Sequence, residues 1–195
     1  MSFVDAFFSF QVELNDASKG IFTTVRLKTP KHPFESLEHL FARVLTYLHC
    51  YRPGQVFTEG LYNLNEPTIW TRDVIGTLQQ WVQVGPPDQK KLTRALRENN
   101  KAYYAVYLFE EGQQETYFNN LRGGKERLLN LVELFQIEPA KVVGLVHQAV
   151  NTPRWTVTIA DGTLYLYAAE IEAEIQIESI DPGQLSRLVA ANTLS

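Results

Sequence analysis

Residues 76–96 read GTLQQWVQVGPPDQKKLTRAL, and the period of the pattern changes halfway along. Thr77, Gln79, Trp81, Gln83 and Gly85 alternate with Leu78, Gln80, Val82 and Val84, as on the two faces of a strand. Gly85-Pro86-Pro87 ends that strand, because two successive prolines cannot donate to a sheet ladder. Asp88 carries the side chain of a helix N-cap, and Leu92, Ala95 and Leu96 follow at helical spacing. Strand, tight turn and helix in immediate succession predict an α/β (α+β) protein, with helices packed against a sheet.

The flanking sequence extends this reading. Ala102 to Phe109 is a second strand rich in Tyr, Val and Leu, and Leu128 to Ile137 is a further segment that fits either strand or helix. Glu138 to Val150 reads as a helix with Pro139 in its first turn. Upstream, Val56-Phe57 suggests a short strand before a polar loop, and Phe34 to His49 reads as a helix whose inward stripe is Phe34, Leu37, Phe41, Val44 and Leu48. Both ends of the chain carry antiparallel hairpins. Phe8 to Leu14 and Ile21 to Leu27 alternate on either side of a polar turn. Trp155 to Ala160 and Thr163 to Ala168 flank Asp161-Gly162, a two-residue hairpin signal, and Ile171 to Ile177 adds a third strand. The expected architecture is a mixed sheet with helices on it and hairpins at both termini.

At 195 residues, with 45% apolar side chains, the chain is expected to form a single domain over residues 1–195. It has no apolar run of the roughly 18 residues that would span a bilayer, and its first residues alternate instead of forming a signal core, so a cytoplasmic protein without membrane partners is expected. Its single cysteine, Cys50, excludes an internal disulfide and a thiolate metal cluster. A net charge of -4 supplies no general field for a polyanion, so any nucleic-acid contact must be local. Lys90, Arg94, Arg97 and Lys101 form such a stripe at helical spacing, opposite Leu92, Ala95 and Leu96, and are candidate nucleic-acid-binding residues.

Three segments, in order and spacing, resemble the YaeQ family: His32-Pro33-Phe34-Glu35-Ser36-Leu37-Glu38, the loop from Gly60-Leu61 through Glu66-Pro67-Thr68-Ile69-Trp70, and Gly76 through Trp81-Val82-Gln83-Val84-Gly85-Pro86-Pro87-Asp88. The similarity runs from about Ile21 to the last hairpin. It implies a restriction-enzyme-like, PD-(D/E)XK nuclease core, in which a helix bearing Glu precedes a hairpin whose acidic residues surround a divalent metal, with a helix after it. It also implies Asp or Glu at the place of Thr68, Glu at that of Gln83 and Gln at that of Pro86. This sequence departs from the pattern at all three.

The candidate site therefore comprises the helix carboxylates Glu38 and Glu35, Gln83 and Thr68 at the altered positions, and Gln79, which flanks Trp81 on the face of Gln83. Phosphodiester cleavage with Mg²⁺ or Mn²⁺ needs hard anionic oxygens around the ion. A Gln carbonyl brings no charge, so the expectation is a protein of this fold without ordinary metal-dependent nuclease activity, acting by binding. The alternative is an active Mg²⁺-dependent nuclease or phosphodiesterase whose ligands have moved to Glu66 or Asp73. Only that alternative calls for Mg²⁺ or Mn²⁺ as cofactor.

Overall fold

The computed structural model describes residues 6–59, 63, 65–121, 130–149 and 154–181. The chain divides into two compact units, Met1–Cys50 with Ile137–Ile177, and Tyr51–Gln136 with Glu178–Ser195.

In the first unit the hairpin expected from alternation is present as β1 (Ala6–Asp16) and β2 (Ile21–Lys31), antiparallel, with Val12 opposite Val25 and Phe10 opposite Leu27. β8 (Arg154–Ala160) runs parallel to β1, and β9 (Thr163–Ala168) and β10 (Ile171–Ile180) continue antiparallel, giving the order β2-β1-β8-β9-β10. The β8–β9 turn has positive φ at both central residues, 50° at Asp161 and 78° at Gly162, as a primed hairpin turn requires. A Cβ at Gly162 would also stand 3.2 Å from the Ile177 carbonyl oxygen, so conformation and space both select glycine.

Phe10, Val12, Leu14, Trp155, Val157 and Ile159 are buried, and α1 (Leu37–His49) packs over Phe10 and Trp155 through Phe41. The Phe10, Phe41 and Trp155 rings lie 4.7–6.0 Å apart in edge or tilted arrangements, the geometry their quadrupoles favour. α4 (Pro139–Ala149) packs against α1 and buries Val142, Leu145 and Val146. The first helix begins later than its periodicity predicts. Ser36 is the N-cap, its Oγ accepting from the His39 amide at 3.0 Å, so Glu35 precedes the helix. Phe34, expected on the inward stripe, is 86% exposed.

The second unit holds β3 (Val56–Phe57), β4 (Ile69–Arg72), β5 (Leu78–Val84), β6 (Tyr103–Leu108) and β7 (Glu133–Ile137), in the order β7-β6-β5-β4-β3. β3, β4 and β5 are mutually antiparallel, whereas β5, β6 and β7 are parallel. The segment that could have been strand or helix is thus a strand over Glu133–Ile137, and its expected start at Leu128 falls outside the described residues, as do Gly60 and Leu61 of the polar loop and Val150 at the end of α4. α2 (Gln89–Glu98) and α3 (Gln113–Leu121) contribute Leu92, Leu96, Tyr117, Phe118 and Leu121 to a core shared with Trp81, Tyr104, Val106, Leu108 and Leu134. β4 and α3 were not anticipated.

Strict alternation fails in β5. Thr71 pairs with Gln80 but Arg72 pairs with Leu78, leaving Gln79 as the extra residue of a bulge. The bulge shifts the parity, so Leu78 and Trp81, expected on opposite faces, join one core cluster. Each unit is a mixed sheet with helices, and no helix among the described residues is long and apolar enough to cross a membrane.

Candidate functional site

The predicted site residues fall in both units. In the first, Glu35 is buried and fully engaged: Arg43 donates to it through Nε at 2.7 Å and Nη2 at 2.8 Å, His39 Nδ1 lies at 2.6 Å, and the His32 amide donates at 3.2 Å. Burial pushes this carboxyl up. The bonds from His39 and Arg43 outweigh that and hold it below the usual carboxylate range. Arg43 also donates to Thr29 Oγ1 and to the Pro30 carbonyl, so the pair ties the start of α1 to the end of β2. Glu35 is therefore the partner of a buried arginine and not a helix carboxylate. Glu38 lies in the first turn of α1, half-buried, where the helix N-terminus favours an acidic side chain.

In the second unit, Thr68 and Gln83 meet at the C-terminal end of β5. Thr68 is buried, and its Oγ1 accepts the Val84 amide at 3.0 Å. Gln83 donates through Nε2 to the Val84 carbonyl at 2.8 Å, and its Oε1 accepts from Lys91 Nζ, also at 2.8 Å. Asp88 caps α2 by accepting from the amides of Lys90 and Lys91, and this sets Lys91 in the first turn of the helix, directed at β5. Burial brings the Lys91 ammonium down to about 8, against the opposing pull of Glu66 and Asp88. Lys91 was not singled out from the sequence. Its signal lay in its position beside Leu92 and four residues before Ala95, at the flank of the apolar stripe.

Gln79, expected beside Gln83, does not share its surroundings. Exposed on the bulge, it donates to Asp73 Oδ2 at 3.0 Å. Asp73 Oδ1 accepts the amides of Ile75 and Thr77 at 3.1 and 2.8 Å, so this carboxylate closes the β4–β5 turn. Glu66 accepts from Asn63 Nδ2 and from the Glu59 amide, which places both of its oxygens within its own loop. The polar side chain at the heart of β5 is Gln80, 0% exposed, with Thr71 Oγ1 donating to its Oε1. Of the basic stripe, Lys90, Arg94 and Arg97 lie exposed on α2, Arg94 paired with Glu98 at 2.9 Å. Lys101 lies beyond the helix, which ends at Glu98 with Asn99 as its C-cap, so the stripe has three helical residues and not four.

Residues 1–177 match the family described as YaeQ protein. The chain belongs to the YaeQ family. It is 23% identical to the YaeQ protein of Salmonella typhi and 22% identical to that of Escherichia coli K12, in each case over 166 residues that cover 85% of this chain and 90% of the relative. The fold is that of the YaeQ protein crystal structures from Xanthomonas axonopodis pv. citri, with a TM-score of 0.78 at 21% identity over 90% of this chain and 98% of that one, and from Pseudomonas syringae, with a TM-score of 0.75 at 21% identity over 91% and 96%.

Within this YaeQ chain, the end of β5 does not fit a divalent metal. Mg²⁺ and Mn²⁺ are held by hard oxygens that carry negative charge. Position 68 supplies a hydroxyl already accepting a backbone amide, and position 83 supplies an amide oxygen already accepting an ammonium. Among the described residues, no group of three or more His, Cys, Asp or Glu side chains is arranged to hold an ion.

Proposed function

We propose that this YaeQ protein is a binding protein built on a nuclease-like core, one that does not hydrolyse phosphodiesters with a metal at the end of β5 and that contacts phosphate-rich nucleic acid through α2. The observation that carries the reading is the Lys91 ammonium 2.8 Å from Gln83 Oε1. The side chain expected to be an anionic metal ligand is an amide, and a cation already occupies its open lone pair. A dication brought there would meet Lys91 and be repelled by it, with no carboxylate at position 68 or 83 to offset the charge. The loop bonding of Glu66 and Asp73 counts against their serving as relocated ligands. Lys90, Arg97 and Lys101, exposed on and just after α2, present cations to solvent where a phosphate backbone could dock.

The test joins metal titration to nicking. Calorimetry with Mn²⁺ is expected to give no binding isotherm for wild type. The double variant Gln83→Glu, Lys91→Ala, which supplies the anion and removes the cation, is expected to gain measurable affinity. Supercoiled plasmid should stay intact with wild type and Mg²⁺ or Mn²⁺, and Lys90→Glu with Arg97→Glu should weaken duplex binding at least tenfold. Metal-dependent nicking by wild type that disappears in Glu38→Ala would overturn the proposal.

A further inference from the structure

The outer face of the first unit's sheet carries cations that its own carboxylates leave alone. In register, Arg26 on β2, Gln11 on β1 and Arg154 on β8 form one row, and Lys28 pairs with Ser9 in a neighbouring row. Adjacent strands are roughly 4.8 Å apart, so the two guanidinium groups rise on either side of Gln11. Arg26, Lys28 and Arg154 are exposed and form no ion pair among the described residues. Lys28 Nζ lies 5.0 Å over the ring of Phe7, itself 60% exposed.

Beside Arg154 the same face dips into a hollow of about 300 Å³, lined by Gln11, Glu13, Thr156, Tyr167 and Ala169 among others. Glu13, Thr156 and Tyr167 form one cross-strand row, which the exposed Glu172 on β10 continues on the far side of the tyrosine from the cations. The Tyr167 side chain is 46% exposed. Ala169 sits at the rim with φ of 55°, as the first residue of the two-residue turn between β9 and β10. An aromatic wall, a carboxylate and an amide at the floor, and cations along one side match the parts of a nucleotide. The ring offers a stacking surface, Gln11 and Glu13 offer groups that read a base edge, and the cations neutralise phosphates.

We propose that this face binds single-stranded nucleic acid, one base stacking on Tyr167 with its edge toward Gln11 and Glu13, and the flanking phosphates on Arg154, Arg26 and Lys28. The carboxylate gives the site a base preference. Glu13 can only accept, so it favours the exocyclic amine of cytosine and opposes the O4 acceptor of thymine. This site lies in a different unit from α2 and does not depend on it.

The experiment is fluorescence anisotropy of labelled oligo-dC and oligo-dT dodecamers with the full chain. Oligo-dC is expected to bind with a dissociation constant of about 1–100 µM and a log–log salt slope of about -2, as three phosphate contacts to a single strand require. Oligo-dT should bind several-fold more weakly. Arg26→Glu with Arg154→Glu should weaken both at least tenfold, and Tyr167→Ala about tenfold. Glu13→Ala should bring the two oligonucleotides to equal affinity, a change that mere loss of structure would not produce. Lys90→Glu with Arg97→Glu should leave the preference for oligo-dC unchanged. Equal affinity of wild type for the two oligonucleotides would overturn the proposal, as would binding abolished by the α2 reversal and untouched by the sheet reversal. The last outcome would leave the α2 reading standing, and the first would say nothing against it.

Discussion

Arg43 in the first unit and Lys91 in the second are both cations drawn inward, and they differ in what receives them. Arg43 is 3% exposed and meets the carboxylate of Glu35 with two donors, leaving others for Thr29 and the Pro30 carbonyl. Lys91 meets the neutral amide of Gln83. A buried charge bonded to an opposite charge fixes a geometry, whereas one bonded to a dipole, with Glu66 and Asp88 acting on it without a bond, is less well compensated and titrates more readily. The contrast assigns Glu35 to architecture, although its sequence context suggested a site. It brings forward Lys91, which the basic-stripe pattern passed over, as the cation that meets Gln83 at the end of β5.

The largest effect should come from breaking the compensated pair. Glu35→Leu leaves Arg43 buried without its anion and is expected to lower unfolding free energy by about 3–5 kcal/mol. Arg43→Met in the same chain should recover most of that, since two apolar side chains of similar bulk can replace a buried pair. Urea denaturation of the single and double variants measures both. A single variant that loses less than about 1 kcal/mol would show that the pair behaves like a surface bridge.

Acid provides a second lever, and it acts on the first unit. Burial, aided by the Lys19 ammonium and opposed by Asp16, brings His49 down to about 4 from an ordinary 6.5. The folded form therefore binds its proton less readily than the unfolded chain, so stability falls as pH drops from 6.5 toward 4. The full shift corresponds to about 3 kcal/mol. Glu35, held below its ordinary 4.5, adds its own loss as pH falls through that value, because the unfolded chain's carboxyl takes up a proton before the folded one does. Replacing His49 with Gln should flatten the limb between about pH 6.5 and pH 4 and leave the steeper loss below it. If the wild-type and His49→Gln profiles are parallel across that interval, His49 is not the group responsible.

Much of this architecture was legible because alternation and helical spacing are both local. The two terminal hairpins, the Asp161-Gly162 turn and the Asp88 cap of α2 follow from a few adjacent residues whose conformational preferences the fold does not override. What escaped depends on longer-range partners. β4 is only four residues long and gains its strand character by pairing with β5, and α3 has three buried side chains whose meaning lies in the core they join. The grouping of Gln79 with Gln83 assumed unbroken alternation, and the bulge at Gln79 breaks it. Phe34 looked like the head of the apolar stripe until Ser36 proved to be the cap. For the site, sequence could mark Thr68 and Gln83 as lacking charge, but that a lysine fills the vacant interaction is a fact of three-dimensional placement.

The smallest of these effects tests the second half of the comparison and lies on the alkaline limb. With its ammonium brought down to about 8 from 10.5, Lys91 is charged in the unfolded chain over an interval in which it is neutral in the folded one. The unfolded state then binds more protons, so folding stability should rise with pH above about 8, by about 1 kcal/mol once solvent screening of this partly exposed group is discounted, before tyrosine ionisation intervenes near pH 10. Tyr104, pushed up to about 12 by burial and then Glu98, sets that upper bound, because its hydroxyl keeps its proton in the fold after the unfolded chain has lost it. Gln83→Glu should remove the rise by giving Lys91 a charged partner that restores its affinity for a proton, and Lys91→Met should remove it by deleting the group. Urea denaturation at about pH 8 and pH 10 reads both variants against wild type. If Gln83→Glu instead keeps the wild-type slope, the ammonium is not governed by its contact with position 83, and burial alone holds its proton affinity down.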